Sequence, residues 1–214
     1  NKFFSLLASY YLIENGADVN AMDNDRKNVL LYAVCANRET ERDDIYVMEL
    51  VNLLVRRGAD INASDKKGMT VLMHTVNLKR QNMRIVRYLV ENGADIGAKD
   101  FGGRNVLMWL SDSVEFGSFK YLVDKGAECN IVDADGKTLL MYAILRHYDY
   151  KIVRRIIRSG ADINQKDKAG RTVLMHAVRR RDSCIELLVK SGADIDSSDN
   201  DGVTVLMYAN RANA

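Results

Sequence analysis

Eleven of the fourteen glycines in this 214-residue chain obey one alternating spacing. Six sit in Gly-Ala-Asp or Gly-Ala-Glu, at Gly16, Gly58, Gly93, Gly126, Gly160 and Gly192. Five more, Gly68, Gly103, Gly136, Gly170 and Gly202, each follow an Asp by three residues. The intervals between the first six are 42, 35, 33, 34 and 32 residues. A fixed period of this size marks a repeat architecture, in which one copy is a supersecondary unit that cannot bury its apolar face alone. Cut at each Asp, the units are 23–64, 65–99, 100–132, 133–166 and 167–198. Residues 1–22 carry the back half of a unit and 199–214 the front half.

One unit reads Asp-x-x-Gly-x-Thr, then hydrophobic-Leu-Met-x-Ala, then a variable stretch and a second apolar run that ends in Gly-Ala-Asp. In the fifth unit these are Asp167, Gly170, Thr172, Val173, Leu174, Met175 and Ala177. Asp-x-x-Gly signals a turn, because Asp bonds back to its own backbone and Gly accepts positive φ. Thr70, Thr138, Thr172 and Thr204 then stand where a hydroxyl can cap a short helix, and Asn28 and Asn105 cap equally well. The spacing predicts that helix over about 172–180 in the fifth unit. Counting back from the closing Gly, apolar residues recur at minus eight, seven, four and three. They are Ile85, Val86, Leu89 and Val90 before Gly93, and Ile152, Val153, Ile156 and Ile157 before Gly160. That is one buried stripe on a second helix, which the Gly ends in the left-handed conformation. Neither helix is long enough to persist alone in water, so each pair must stack on its neighbours.

These residues resemble the ankyrin repeat family, whose pattern is Asp-x-x-Gly-x-Thr-Pro-Leu-His-x-Ala, a helix, and Gly-Ala-Asp-hydrophobic-Asn. The closing element recurs as Gly16-Ala17-Asp18-Val19-Asn20, Gly58-Ala59-Asp60-Ile61-Asn62 and Gly160-Ala161-Asp162-Ile163-Asn164. The resemblance runs nearly end to end. It implies an all-α solenoid of stacked helix-turn-helix units joined by β-turn, hairpin-like loops, one domain over 1–214. The family's Pro is replaced by Val29, Val71, Val106, Leu139, Val173 and Val205, and its His by Leu31 or by Met73, Met108, Met141, Met175 and Met207. Pro at the first helical position is dispensable and Met fills gaps between packed units, so the fold is expected to survive both. The third unit has Leu110 in the Ala place and Ser118 in an apolar place, and is expected to pack less well. The first full unit has Arg26 for the turn Gly and about nine extra residues around Arg38–Asp44. That insertion should lengthen the link between its helices or extend one of them.

Composition removes several function classes. Thirty-one Lys and Arg against 29 Asp and Glu leave a net charge of +2, which argues against a nucleic-acid binder. No apolar run approaches the roughly 20 residues of a membrane span. Cys35, Cys129 and Cys184 are odd in number and far apart, so free thiols and a cytoplasmic setting are expected, though a removed signal sequence would leave no trace. His74, His147 and His176 lack metal-ligand spacing, and His74 and His176 read as variable surface positions. Asp133-Ala134-Asp135-Gly136 lacks the Gly and Glu placement of a calcium loop. No catalytic constellation, cofactor, metal or small-molecule substrate is implied.

The "x" of hydrophobic-Leu-Met-x-Ala is a ring in every copy: Tyr32, His74, Trp109, Tyr142, His176 and Tyr208. This column is either a half-buried ladder that packs unit on unit or a recognition stripe, and the two are compatible. The family resemblance implies that partners bind the turn tips and the concave face of the first helices. Carried over, this marks Lys66, Lys67 and Phe101 at tips, and Asp112, Arg146, Arg179 and Arg180 at first-helix ends, beside His74, Trp109, Tyr142 and His176. Phe101 is an apolar ring where tips are normally polar. The arginines suggest a protein partner with an acidic surface. Phe101, Trp109, Tyr142 and Arg179 are expected within one footprint. The reading is a noncatalytic protein–protein interaction scaffold. The alternative is a regulatory or targeting segment of a larger enzyme or effector.

Overall fold

The computed structural model describes residues 2–36, 41–78, 82–110 and 116–211. The chain groups into two compact units, Asn1–Phe101 and Gly102–Ala214. All named elements among the described residues are helices, and backbone pairing outside them is limited to three isolated bridges, Ser64 with Thr70, Val132 with Thr138 and Ser198 with Thr204. Each bridge closes the hairpin-like loop between one repeat and the next.

The first compact unit holds α1 (Lys2–Glu14), α2 (Val29–Cys35), α3 (Glu41–Arg56), α4 (Val71–Val76) and α5 (Met83–Glu91). Here α2 packs on α3 and α4, α1 on α3, and α5 on α4 and α3. The second holds a single 3-10 turn at Val106–Trp109, then α6 (Phe116–Asp124), α7 (Leu139–Leu145), α8 (Tyr150–Arg158), α9 (Val173–Arg180), α10 (Ile185–Lys190) and α11 (Val205–Arg211). In it α7 meets the 3-10 turn, α8 and α9, while α9 meets α10 and α11. A helix in either unit thus touches its partner in the same repeat and a helix of the next. The core is the sum of these contacts.

Local chemistry sets the boundaries. Thr70, Thr138, Thr172 and Thr204 accept the amides of Met73, Met141, Met175 and Met207. Asn28 accepts from Leu31, and Asn105 from Leu107 and Met108. The two Asn caps do more than a Thr could, because their amides also reach the closing element of their own repeat, Asn28 to the Asp60 carbonyl and Asn105 to that of Glu128. At the other end, the six closing glycines all take positive φ, between 82° and 104°. Arg26, in the place of a turn Gly, is held at φ 61°. An L-residue is strained there.

The apolar stripe is buried as the spacing predicts at Ile85, Val86, Leu89, Ile152, Val153 and Ile156, all 0% exposed. Cys184 is a core thiol. The insertion in the first full unit extends a helix: α3 has 16 residues where α5, α6 and α8 have 9. The third repeat departs from expectation. Its first helix shrinks to four residues of 3-10 turn, yet Val106, Leu107, Met108, Leu110, Phe119 and Leu122 are sealed from solvent and Ser118 is buried with them. Leu110, where four other copies have Ala and one has Thr75, ends the turn and fills the interior. The irregularity is one of backbone, not of burial.

Candidate functional site

Five of the six turn aspartates form the same carboxylate cradle. Asp65 Oδ1 accepts the amides of Lys67 and Met69. The equivalent pairs are Asp25 and Lys27 on Asp23, Asp135 and Lys137 on Asp133, Ala169 and Arg171 on Asp167, and Asp201 and Val203 on Asp199. The other oxygen takes the ring nine residues on. Tyr32, Tyr142 and Tyr208 donate their hydroxyls to Asp23, Asp133 and Asp199 at 2.6, 2.8 and 2.6 Å. His74 and His176 meet Asp65 and Asp167 through Nε2 at 3.0 and 2.9 Å. A carboxylate only accepts, so Nε2 carries the proton. At these five positions the ring column is therefore chiefly a latch that ties a turn to its own helix.

This overturns the reading of the two histidines as surface positions. The His74 side chain is 16% exposed and that of His176 is 4% exposed. Burial pushes both imidazoles below their ordinary value, and the bond to Asp offsets only part of it. Among the described residues, His176 Nδ1 is buried without a hydrogen-bond partner. Burial raises Tyr142 to about 12, with the Asp133 bond adding to it. At Asp65 burial raises the carboxyl, but the three donors outweigh it and hold it low.

Successive turns are stitched by one backbone bond each. Lys66 and Phe101 donate to the carbonyls of Asp25 and Lys67 in the first compact unit. In the second, Ala134, Lys168 and Asn200 donate to Gly102, Asp135 and Ala169. A second stitch joins closing elements: Asn20, Asn62 and Asn164 each donate to the next closing Gly and accept the amide two residues beyond it. The turn tips therefore stand on a fixed backbone.

In the first compact unit this frame presents Phe101 72% exposed, its inner edge lying over Gly68. Lys66 pairs with Asp25 at 2.6 Å, and Lys67 projects from the same tip. In the second, the Arg104 guanidinium lies 4.1 Å from the Trp109 ring centre and reaches Tyr142 as well. Arg146 donates to the Leu110 carbonyl at 2.8 Å and lies 5.9 Å from the Tyr142 ring, so it braces the third repeat. Arg180 donates to His147, whose other nitrogen faces Asp182 at 3.4 Å. Arg179 is exposed. Asp112 lies outside the described residues. Phe101 falls in the first compact unit, while Trp109, Tyr142 and Arg179 fall in the second.

The fourth and fifth repeats enclose a groove of about 270 Å³. It is lined by the tip residues Asp135, Lys137, Lys168, Ala169 and Arg171 together with Leu145, Asp167, His176 and Arg179. Sequence reasoning did not single out Arg104, Lys137 and Arg171. Their signal is a column: the residue after the turn glycine is basic in three successive repeats, and Lys27 holds the same place in the first. Arg171 donates to Tyr208 of the next repeat, as Arg104 reaches Tyr142.

Among the described residues no group of three His, Cys, Asp or Glu could hold a metal ion, and no helix is long and apolar enough to cross a membrane. The family model described as ankyrin repeats (three copies) matches residues 44–133, 103–167 and 140–214. A search of curated proteins finds no match. Among solved structures the chain is similar to the ankyrin repeat domain of Bcl-3, a member of the IkappaB protein family. The TM-score is 0.70 and the identity 24%, over 95% of this chain and 87% of that one. At that identity the likeness speaks for the fold, and 522 solved chains share enough of it to match.

Proposed function

Because the chain belongs to the ankyrin repeat family, whose members are generally protein-binding modules, we propose that it is a noncatalytic recognition scaffold for a protein with an acidic surface. Partners engage turn tips and first helices: Lys66, Lys67 and Phe101 in the first compact unit, and Trp109, Tyr142, Arg179 and Arg180 in the second. The observation that carries this reading is Phe101. A phenyl ring that is 72% exposed, on a turn whose amide is already bonded to Lys67, is an anchor that loses little freedom on binding. Support comes also from four of the groups that could have done chemistry. His74 and His176 are committed to turn carboxylates. Burial raises the Cys129 thiol, and raises that of Cys184 to about 12, far from nucleophilic.

The test is affinity capture with the full chain beside Phe101→Ala and Arg179→Ala variants of unchanged melting temperature. The expected result is a protein retained by the parent chain and depleted by the variants, with the loss reproduced on the purified pair. Equal retention by all three sinks this surface as the binding face.

A further inference from the structure

The groove between the fourth and fifth repeats carries four cationic side chains, Lys137, Lys168, Arg171 and Arg179, against two carboxylates, Asp135 and Asp167. Both carboxylates are already engaged. Asp167 holds two amides on one oxygen and His176 on the other. Asp135 pairs with Lys137 at 3.1 Å. Arg171 is engaged too, donating to the Tyr208 hydroxyl at 3.1 Å and facing Asp199 at 4.0 Å. That leaves Lys168 and Arg179. Both are exposed, and neither forms an ion pair among the described residues. They stand on different elements, Lys168 on the turn tip and Arg179 in the last turn of α9, and line one concavity whose apolar wall is Leu145 and Ala169. The Lys168 amide is bonded to the Asp135 carbonyl, so the tip is held in place.

We propose that this groove receives one acidic side chain of a partner peptide, a glutamate or aspartate whose carboxylate bonds Lys168 on one side and Arg179 on the other. Its methylenes lie against Leu145 and Ala169. Two cations on separate rigid elements bind a carboxylate better than either alone, and charge-assisted bonds at a partly enclosed site are the strong ones. Lys137 and Arg171, though paired, keep the local potential positive and steer an acidic segment inward. The inference rests on the reading of the chain as a protein-recognition scaffold, and names what the partner must offer at this point.

The test uses the full chain and two fluorescein-labelled acetylated hexapeptides, Gly-Glu-Glu-Glu-Glu-Gly and Gly-Gln-Gln-Gln-Gln-Gly, followed by anisotropy and by amide shift mapping. The glutamate peptide is expected to bind, with shifts at Lys168, Ala169 and Arg179, and the glutamine peptide at least tenfold more weakly. Lys168→Ala and Arg179→Ala should each weaken the glutamate peptide about tenfold, whereas Arg154→Ala, an exposed cation on α8 outside the groove, should change it less than twofold. Equal binding of both peptides, indifference to the two groove variants, or an equal effect of Arg154→Ala overturns the proposal. So does displacement of the peptide by a single-stranded oligonucleotide at lower concentration, which would make the groove a phosphate site. If the peptides fail while a captured protein still depends on Phe101, the scaffold reading stands and only this ligand is lost.

Discussion

At the scale of single residues, the repeat spends its most reactive side chains on architecture. A turn Asp takes two amides and a ring, and the ring is neutral histidine in two repeats. This has a consequence for acid stability. Burial holds His74 and His176 below the ordinary imidazole value of 6.5, so the unfolded chain binds more protons than the folded one as pH falls through that value. The stability these imidazoles contribute is present above 6.5 and is lost progressively below it, down to the depressed folded values. Urea midpoints should therefore drop between pH 7 and pH 5. The His74→Gln, His176→Gln double variant, which cannot titrate there, should lose less over the same interval; parallel curves would refute the assignment. Glycine offers a second residue-level comparison. Gly170 and Gly202 share nearly the same backbone, φ 76° and 73°. A Cβ on Gly202 meets nothing within 4 Å, whereas one on Gly170 falls 2.6 Å from the Asn200 amide nitrogen. Gly202→Ala should cost about 1 kcal/mol for the left-handed backbone alone. Gly170→Ala should cost about 1–3 kcal/mol more, because the next turn must move and its stitch to Ala169 must break. Chemical denaturation of the two variants side by side separates strain from close approach.

At the scale of the element, what was legible in the sequence is what is decided locally. Caps, turn glycines and left-handed stops each depend on a few neighbouring residues, and Thr172, Asn105 and Gly160 behave as their surroundings require. The length of α3 was open because a charged insertion is compatible with loop or helix, and only packing on α1, α2 and α5 selects helix. The ring-to-Asp latch was missed because it joins positions nine apart that face each other only after the turn has folded over the helix. The basic column of Arg104, Lys137 and Arg171 was legible but needed alignment by repeat position, not a scan for runs of charge. The Asn caps give an element-scale prediction. Thr172→Ala removes one capping bond and should cost about 1 kcal/mol. Asn105→Ala removes a cap shared by two amides and also strands the Glu128 carbonyl, which Asn105 meets at 2.7 Å. It should cost about 2–3 kcal/mol. Asn105→Thr should recover the cap and not the bond to the closing element, and so fall between them. A Thr variant as stable as the parent chain would mean that the bond to Glu128 contributes nothing.

For the whole molecule, stability is the sum of repeats and of the interfaces between neighbours, so the same side chain has a different worth where it is covered and where it is exposed. Leu174 and Met175 in α9 are each 1% exposed, and Leu140 and Met141 in α7 are fully buried. Leu206 and Met207 hold the same places in α11 and are 77% and 53% exposed. The sequence is nearly identical across these copies, which means that burial here is conferred by stacking and not by the residues themselves. Leu174→Ala should therefore cost about 2–5 kcal/mol, the range for a buried leucine, while Leu206→Ala should cost under about 0.5 kcal/mol. Amide exchange in this chain should follow the same gradient. The helical amides of 205–211 should exchange well ahead of those in 173–180, though both are capped by a Thr that accepts a Met amide. Because caps and propensities are matched, a difference between the two helices isolates the interface. Equal protection of α9 and α11 would show instead that each repeat carries its own stability, and the nearest-neighbour account of this chain would be wrong.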